Sequence, residues 1–393
     1  MKPEKRLTYF LSHPIQYFSP LLKELAKRAD LTVYYFADPA AAGNKDAGFG
    51  QKIRWDTPLT EGYNHRFLKN ISRSTSLDNH FLDTVNPGLI RVLWKDKSPV
   101  VILNGWSYSS SLLVIFFGRI FGKKIWLRAE NPLNQELEKS AKVLFLKKIF
   151  LKHILFRFFV SKCLYIGEES RRFFGYYGVR PSDLVYTPYA VDNDYFSGQF
   201  RQLKGDLATT REELGLPADK KIILFSGKYI SKKRPLDLLK AFALTDNADY
   251  ALVMVGEGEL RGEMEAFIAE NGLSQVYLTG FVNQSRIPKY YAVADVFVMC
   301  SGAGETWGLS VNEAMNFELP VIVSRTCGSC HDLVKDGENG FSFETGDIPA
   351  LAESIKKVLS DESFRKAAGQ RSAEIITQYS IDQIVTHIVS ALN

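Results

Sequence analysis

Short apolar runs of strand length alternate with segments of helical character along the whole chain. Segments such as RPLDLLKAFALT (residues 234–245) and LRGEMEAFIAEN (residues 260–271) read as helices. Strand and helix in alternation are typical of parallel sheets covered by helices on both faces, so the pattern predicts two doubly wound α/β domains. The predicted strands lie near LTYFLS, LTVYYFA, VVILNG, KIWLRA and CLYIG in the first half, and near KIILFSG, YALVMVG, VYLTGF, DVFVMC and PVIVS in the second.

A polar stretch rich in turn residues, residues 186–221, separates the two halves. We therefore expect one domain over residues 1–195 and a second over residues 196–375. Residues 376–393 are expected to form a C-terminal helix, which is a candidate to pack back on the first domain.

The composition is that of a folded globular protein. An apolar fraction of 46% with 24% charged residues over 393 residues is typical of a folded two-domain protein. The net charge of +5 fits an anionic ligand or an anionic surface as well as nucleic acid, and does not choose among them. The N-terminus lacks the apolar core of a signal peptide, and the sequence has no long uncharged apolar run. We expect a cytoplasmic protein.

The apolar tract at residues 139–159 is interrupted by lysines. On a helical wheel Lys142 and Lys148 lie far apart, and apolar residues surround both. Two interpretations remain open. The tract is either a core helix whose lysines extend to solvent, or a basic and apolar face that rests on anionic lipid at the inner face of the cell membrane.

Two short motifs resemble metal or haem sites. Cys327-Gly-Ser-Cys330-His331 has the C-x-x-C-H spacing of haem attachment, but a turn with incidental thiols is the favoured interpretation in a reducing compartment. Asp192-Asn-Asp194 has a D-x-D pattern, but it lies at the domain junction instead of after a strand of the second domain. We expect no metal and no cofactor.

The first chemical candidate is a lysine-rich loop after the strand that ends near Gly227. The basic residues Lys228, Lys232, Lys233 and Arg234 precede Pro235, which suits the first turn of a helix. An anion bound there would meet the ammonium groups and the positive end of the helix dipole. The alternative is a solvated cluster of surface lysines.

The second candidate is GETWGLSVNEAM, residues 304–315, between two strand-like runs. Its small residues would let backbone N–H groups approach a diphosphate. Glu313 could accept hydrogen bonds from ribose hydroxyls. Alternatively, Ser310 and Glu313 form a capping box that only satisfies the start of their own helix.

These residues resemble a known family. GETWGLSVNEAMNFELPVIVS looks like the E-x7-E signature of retaining nucleotide-sugar glycosyltransferases, most of all glycosyltransferase family 4. Further similar segments follow in the family's order across residues 186–347, and SHPIQYFSPLLKELAKR resembles a bacterial branch of the family. The resemblance implies an α/β fold of the GT-B type, with two Rossmann-like domains that face a central cleft. The second domain would bind the nucleotide sugar and the first the acceptor.

The resemblance also implies roles for matched positions. Glu305 would face the donor sugar near the reacting carbon, Lys228 and Lys233 would contact the diphosphate, and these three would be catalytic. Glu313 would bind the ribose, and residues after Gly280 would approach the base. The complete donor-binding set is Gly227, Lys228, Lys233, Phe281, Val282, Glu305, Thr306, Trp307, Gly308, Leu309 and Glu313.

The acceptor side resembles the family less closely. The first loop reads SHPIQYFSP instead of a glycine-rich sequence, and a later one reads LRAENP where a histidine is common. The acceptor candidates are His13, Gln16, Arg128 and Glu130, although His13 could merely satisfy the backbone and the Arg128 and Glu130 side chains could form a buried ion pair between domains.

The implied function is metal-independent transfer of a sugar, with retention at its anomeric carbon, from a nucleotide diphosphate sugar to a glycan or lipid-linked glycan. Bacterial surface polysaccharide or lipopolysaccharide is the implied product, and peripheral contact with an anionic membrane would suit a lipid-linked acceptor. Two alternatives are a nucleotide-sugar epimerase or hydrolase of the same fold, and a non-catalytic binder of nucleotide or nucleic acid. A focused pocket of two acids and two lysines argues against nucleic acid as a partner.

Overall fold

A computed structural model describes residues 5–38, 45–46, 51–52, 58–73, 77, 80–245 and 248–392. These residues form two compact units. The first contains the described residues within Met1–Asn44, Thr57–Pro188 and Ile381–Asn393, and the second contains those within Lys45–Asp56 and Tyr189–Ser380.

The first unit is built on a parallel sheet. Within the described residues its strands are arranged in the order β3-β2-β1-β4-β5-β6-β7. The strands are β1 Arg6–Leu11, β2 Asp30–Tyr35, β3 Asn64–Phe67, β4 Val100–Asn104, β5 Lys124–Ala129, β6 Val160–Tyr165 and β7 Leu184–Tyr186. The first strand pairs with β2 and β4, and its buried residues enter an apolar core that helices cover.

The second unit repeats this plan. Within the described residues its parallel sheet has the order β10-β9-β8-β11-β12-β13. The strands are β8 Lys221–Ser226, β9 Tyr250–Val255, β10 Val276–Leu278, β11 Val296–Met299, β12 Val321–Ser324 and β13 Gly340–Phe343. The central strands β9, β11 and β12 are buried along their whole length, which explains their continuous apolar sequences.

Helices connect most of the strands. In chain order they are α1 Phe18–Arg28, α2 Leu89–Lys95, α3 Ser109–Ile120, α4 Leu133–Glu136, α5 Ala141–Lys148, α6 Glu168–Tyr176, α7 Asn193–Leu203, α8 Leu207–Glu213, α9 Pro235–Thr245, α10 Arg261–Glu270, α11 Ile287–Val293, α12 Leu309–Met315, α13 Cys330–Leu333, α14 Ile348–Ser360, α15 Glu362–Ile376 and α16 Ile381–Ala391. A π-helix at Ile149–Phe159 continues α5, and short 3-10 turns occupy Pro181–Asp183 and Ser231–Lys233.

The division between the units falls a few residues before the position expected from the sequence. All of α7 belongs to the second unit, because the rings of Phe196 and Phe200 pack against Phe317. Asp192 starts this helix by accepting a hydrogen bond from the backbone N–H of Tyr195 at 3.0 Å. The first aspartate of the D-x-D pattern is therefore a helix cap in this structure.

The last helix returns to the first unit. Ile384, Val385 and Ile388 on α16 are buried, and His387 Nδ1 lies 2.8 Å from the carbonyl oxygen of Tyr186 at the end of β7. The Nζ of Lys5 donates a hydrogen bond to the carbonyl of Val389 at 3.0 Å. The first unit thus includes a C-terminal segment that is distant in sequence from its other two segments. No helix among the described residues combines the length and the apolar character needed to cross a bilayer.

Candidate active site

Adjacent strands bring the two candidate loops of the second unit together. Strands β8 and β11 pair in parallel, with Ile223 opposite Val296, so their carboxyl ends lie at the same edge of the sheet. The loop after β8 carries the lysines, and the loop after β11 carries Glu305. Backbone and side-chain hydrogen bonds join the loops: the N–H of Gly302 donates to the carbonyl of Lys232 at 2.8 Å, and Lys232 Nζ donates to the carbonyl of Gly304 at 3.0 Å. This edge is where open parallel sheets bind ligands.

Glu305 and Lys233 form a largely buried ion pair. Lys233 Nζ donates a hydrogen bond to Glu305 Oε2, and the Glu305 residue is only 7% exposed. The structure therefore brings together two of the three residues expected to be catalytic. Lys228, the third, is half-buried in the loop that follows β8.

The environment keeps Glu305 ionised. Burial raises the pKa of its carboxyl, but the charges of Lys233 and Lys232 and hydrogen bonds from Lys233 and Ser301 lower it, and the net result is a pKa below the usual range. A negative charge is thus held next to a cation in a site that excludes most water, where both charges act strongly on a ligand.

Glu313 is held by a tyrosine that the sequence analysis did not identify. Its side chain is buried, and Oε2 accepts a hydrogen bond from the hydroxyl of Tyr291 at 2.7 Å. Tyr291 lies on α11 and its ring stacks on Phe317 at 5.4 Å. This contact fixes one carboxylate oxygen of Glu313 and joins α11 to α12.

The capping-box alternative for Glu313 is wrong. Helix α12 begins at Leu309, its N-cap is Gly308, and no side chain caps it, so Ser310 lies inside the first turn. Gly308 has φ of 93°, a conformation that glycine adopts without strain, and a Cβ there would lie 3.0 Å from Cys327 Sγ. Both the backbone conformation and the packing therefore require glycine at this position.

Trp307 faces the interior of the second unit. Its residue is 1% exposed, and its Nε1 donates to Asn312 Oδ1 at 2.8 Å. Asn312 Nδ2 donates in turn to the carbonyl of Tyr189 at 3.1 Å. The indole thus anchors the loop, and only backbone groups of Trp307 remain for the donor contact expected from the sequence.

Glycines let the neighbouring loops approach closely. Gly256 follows β9 with φ of 152°, and a Cβ there would lie 1.9 Å from the carbonyl oxygen of Gly227. Its N–H donates to the carbonyl of Gly280 at 3.0 Å. The expected phosphate loop at Gly227 and the expected base loop, with Phe281 and Val282 partly exposed, are therefore both in contact with one glycine.

The cysteine motif braces the loop that carries Glu305. Cys327 Sγ donates to the carbonyl of Trp307 at 2.9 Å, and the N–H of Gly328 donates to the carbonyl of Glu305 at 3.1 Å. Burial raises the pKa of both Cys327 and Cys330 to about 12, so their thiols stay protonated and weakly reactive. In the part of the chain that the structure describes, no group of three or more His, Cys, Asp or Glu residues is placed to hold a metal ion.

Replacing Gly328 with alanine should disturb this brace. The new Cβ would lie 1.9 Å from the carbonyl oxygen of Thr306, so the backbone of the loop would have to shift. We expect the free energy of unfolding to fall by about 1–3 kcal/mol in denaturant titrations, together with a loss of donor binding. Gly262→Ala is the matched control, since its site on α10 is open and alanine favours the helix. If Gly328→Ala and Gly262→Ala are equally stable, the close packing of Gly328 against the loop that carries Glu305 does not stabilise the protein.

The acceptor candidates lie in the first unit. His13 Nδ1 is 2.9 Å from Ser12 Oγ directly after β1, and Gln16 follows in the same loop with part of its surface exposed. Arg128 is 2% exposed and donates through Nη1 to Glu130 Oε1 at 3.1 Å and to Asn104 Oδ1 at 3.3 Å. The ion pair considered from the sequence is present, but both of its members belong to the first unit.

Part of the chain is similar in sequence to known glycosyltransferases. Residues 207–375 match the family described as glycosyl transferases group 1. The chain is 29% identical over 180 residues to the lipopolysaccharide core biosynthesis glycosyltransferase LpsE of Rhizobium meliloti (strain 1021), covering 45% of this chain and 51% of that protein. It is 28% identical over 201 residues to the sulfoquinovosyl transferase SQD2 of Arabidopsis thaliana, covering 50% of this chain and 37% of the relative. The chain thus matches about half or less of the length of these relatives.

The whole fold also has a known counterpart. The crystal structure of Anabaena Alr3699/HepE in complex with UDP superposes with a TM-score of 0.73 at 18% identity, over 99% of each chain. The protein is an α/β protein with the GT-B fold. Residues 207–375, less than half of the chain, match the group 1 glycosyl transferase family. Its relatives are group 1 glycosyltransferases, so the family resemblance expected from the motifs is confirmed at this level.

Proposed function

We propose that this protein is a retaining, metal-independent glycosyltransferase that moves a sugar from a nucleotide diphosphate sugar to a hydroxyl group of a glycan or lipid-linked glycan. The observation that carries the proposal is the buried pair of Glu305 and Lys233 at the carboxyl edge of the second sheet. The carboxylate of Glu305 suits the positive charge of a reacting sugar ring, and the ammonium group of Lys233 suits the negative charge of a departing diphosphate.

The chemistry follows from the charges that develop in the reaction. As the bond between the sugar C1 and the diphosphate oxygen breaks, negative charge grows on the phosphate and positive charge on the ring. Lys233, with Lys228, offsets the first, and Glu305 stabilises the second. The acceptor hydroxyl forms its bond to C1 on the face from which the diphosphate departs, and its proton passes to a phosphate oxygen. The configuration at C1 is then kept.

The other donor contacts are assigned on the same basis. Glu313, oriented by Tyr291, accepts hydrogen bonds from ribose hydroxyls. The backbone around Gly227, and from Thr306 to Leu309, contacts the phosphates, and Phe281 and Val282 approach the base. Anabaena Alr3699/HepE has been crystallised with UDP-glucose, which makes UDP-sugars the first donors to test. On the acceptor side, His13, Gln16 and the pair Arg128 and Glu130 are assigned to binding the accepting glycan.

Donor binding can be tested by thermal unfolding with a panel of UDP-, GDP- and ADP-sugars. A ligand present at 100 times its Kd stabilises the folded protein by about 2.7 kcal/mol. We expect one family of nucleotide sugars to raise the melting temperature. The matching nucleoside monophosphate is the control, because it lacks the second phosphate and should stabilise less. No stabilisation by any member of the panel would contradict the proposal.

The reaction itself is tested by NMR of the product. We expect the anomeric configuration of the donor sugar to be kept in the product when acceptor is present, without added metal and with EDTA. Inversion at C1 would contradict the mechanism. Rapid epimerisation or hydrolysis of the donor without acceptor would favour the alternative enzyme classes.

A further inference from the structure

The first unit carries a surface on which large apolar side chains are exposed beside basic ones. Along α5 and the π-helix that continues it, an apolar residue recurs every fourth position and is exposed each time: Leu146 by 56%, Phe150 by 39%, Ile154 by 43% and Phe158 by 59%. We call these four residues the apolar row. Further exposed apolar residues beside the row are Val143, Phe145 and Ile149.

The core does not require this row. Every residue of α5 is described and none is buried, and Leu151 and Leu155 provide the buried contacts of the π-helix. The interpretation of residues 139–159 as a core helix is therefore wrong for α5. In a soluble protein, exposed aromatic and aliphatic side chains that are contiguous usually mark an interaction site.

A buried carboxylate fixes the segment to the unit. Glu136 is 2% exposed and accepts hydrogen bonds from Lys139 Nζ at 2.7 Å, Lys147 Nζ at 2.5 Å and the hydroxyl of Tyr177 at 2.7 Å. Burial raises the pKa of Glu136, but these hydrogen bonds and the Lys147 charge lower it to below its usual range. The ionised anchor holds one side of the helix inward, which leaves the apolar row outward.

Helix α3 extends the same surface. Arg119 Nε donates to the carbonyl of Phe158 at 3.1 Å, and the rings of Phe116 and Phe159 are 6.1 Å apart. Phe116 is 49% exposed and Ile120 58% exposed. We call the exposed side chains of α3, α5 and the π-helix the apolar-basic face.

The charges on this face have one sign. Residues 139–167 contain no Asp or Glu, and residues 109–124 contain none either. The basic residues that are exposed on α3, α5 and the π-helix are Arg119, Lys142, Lys148, Lys152 and Arg157. A partner must therefore be both apolar in part and negatively charged.

We propose that the apolar-basic face binds the surface of an anionic lipid bilayer. The apolar row would enter the boundary between headgroups and acyl chains, and the lysines and arginines beside it would contact lipid phosphates. A second copy of the chain fits less well, because a two-fold contact would place this face against itself and set like charges against each other. The proposal does not depend on the proposed sugar transfer.

The test is co-sedimentation of the full chain with vesicles. We expect binding to vesicles of phosphatidylcholine with phosphatidylglycerol, little binding to phosphatidylcholine alone, and weaker binding as salt is raised. The double variant Leu146→Gln/Phe158→Gln should bind anionic vesicles roughly tenfold or more weakly, because two apolar side chains no longer enter the bilayer.

Leu244→Gln is the matched control. Leu244 is also a helical leucine and is 51% exposed, but it lies on α9 of the second unit. Its replacement should leave vesicle binding unchanged, and all variants should keep the wild-type melting temperature. The proposal is overturned if the wild-type protein does not bind anionic vesicles, or if Leu244→Gln weakens binding as much as the double variant does. It is also overturned if the wild-type protein binds no vesicles but self-associates, and the double variant loses that self-association. The vesicle assay contains no nucleotide sugar. A negative result in this assay therefore does not bear on the proposed sugar transfer.

Discussion

Replacing Glu305 with glutamine is expected to lower kcat for sugar transfer by about 100-fold or more. The amide keeps the shape of the side chain but cannot offset positive charge on the sugar ring in the buried site. Binding of the donor should persist or tighten, because the carboxylate no longer repels the diphosphate or holds Lys233 Nζ. The measurement is steady-state kcat together with donor Kd from calorimetry.

The Glu344→Gln variant provides the control. Glu344 is an exposed glutamate of the same unit that pairs with Arg325 at the surface at 2.6 Å. Its replacement should change neither kcat nor Kd. An unchanged kcat in the Glu305→Gln enzyme would mean that Glu305 does not take part in the chemical step. A loss of donor affinity as large as the loss of kcat/KM would mean that Glu305 acts in donor binding alone.

Replacing Lys233 with methionine should have a second large effect, a fall in kcat/KM by about 100-fold to 1000-fold. Methionine preserves much of the apolar stem but removes the charge that the proposed mechanism places against the departing diphosphate. The loss should appear in both kcat and donor affinity, because the diphosphate is charged before and during the reaction. Lys240→Met, at an exposed position on α9, is the control and should behave as wild type.

The same variant should change the dependence of stability on pH. In the wild-type protein the pKa of Glu305 is below its usual range, so its ionised form contributes stability at neutral pH, and that contribution is lost as pH falls through the folded-state pKa. Without Lys233, burial is opposed by fewer charges and the pKa of Glu305 rises. The stability difference between the two proteins should therefore grow as pH increases from below the folded-state pKa of Glu305 in the wild type to above its folded-state pKa in the variant.

Denaturant titrations at a series of pH values measure this change. We expect the stability difference between wild type and Lys233→Met to grow as pH increases over that range. A constant difference would mean that Lys233 does not set the ionisation of Glu305 in the free protein. Lys240→Met should give a curve parallel to that of the wild type.

The sheets could be predicted from the sequence where strands are long and apolar. All ten predicted strands are present. In β11 and β12 every residue is buried, so each strand is a continuous apolar run that is visible in the sequence. The strand β3, Asn64–Phe67, was missed because it is a polar edge strand with exposed residues. The strand β7, Leu184–Tyr186, is only three residues long, and β13 begins with glycine, so neither gives a periodic signal.

The candidate site was predictable only in part. The motifs indicated Glu305 and Lys233, and the pairing of β8 with β11 brings them together across 72 residues of sequence. The support from Tyr291 to Glu313, and from Gly328 to the backbone of Glu305, depends on tertiary packing. No local sequence pattern indicates such contacts, so they cannot be predicted from the sequence.

The tract at residues 139–159 was ambiguous for a geometric reason. A helical wheel assumes 3.6 residues per turn throughout, whereas the backbone changes from α-helix to π-helix at Ile149. Side chains beyond that point are displaced from their positions on the wheel, so the wheel does not show that the four residues of the apolar row are all exposed.

The return of α16 to the first unit sets an order for folding during synthesis. Strands β1 to β7 leave the ribosome first, but Ile384 and Val385 cover their unit only after the entire second unit has been made. Because domains generally fold as units while the chain grows, the second unit can complete its core earlier. A released chain that ends before residue 381 would therefore contain all of the second unit, but part of the apolar surface of its first unit would stay bare and would be a target for chaperones.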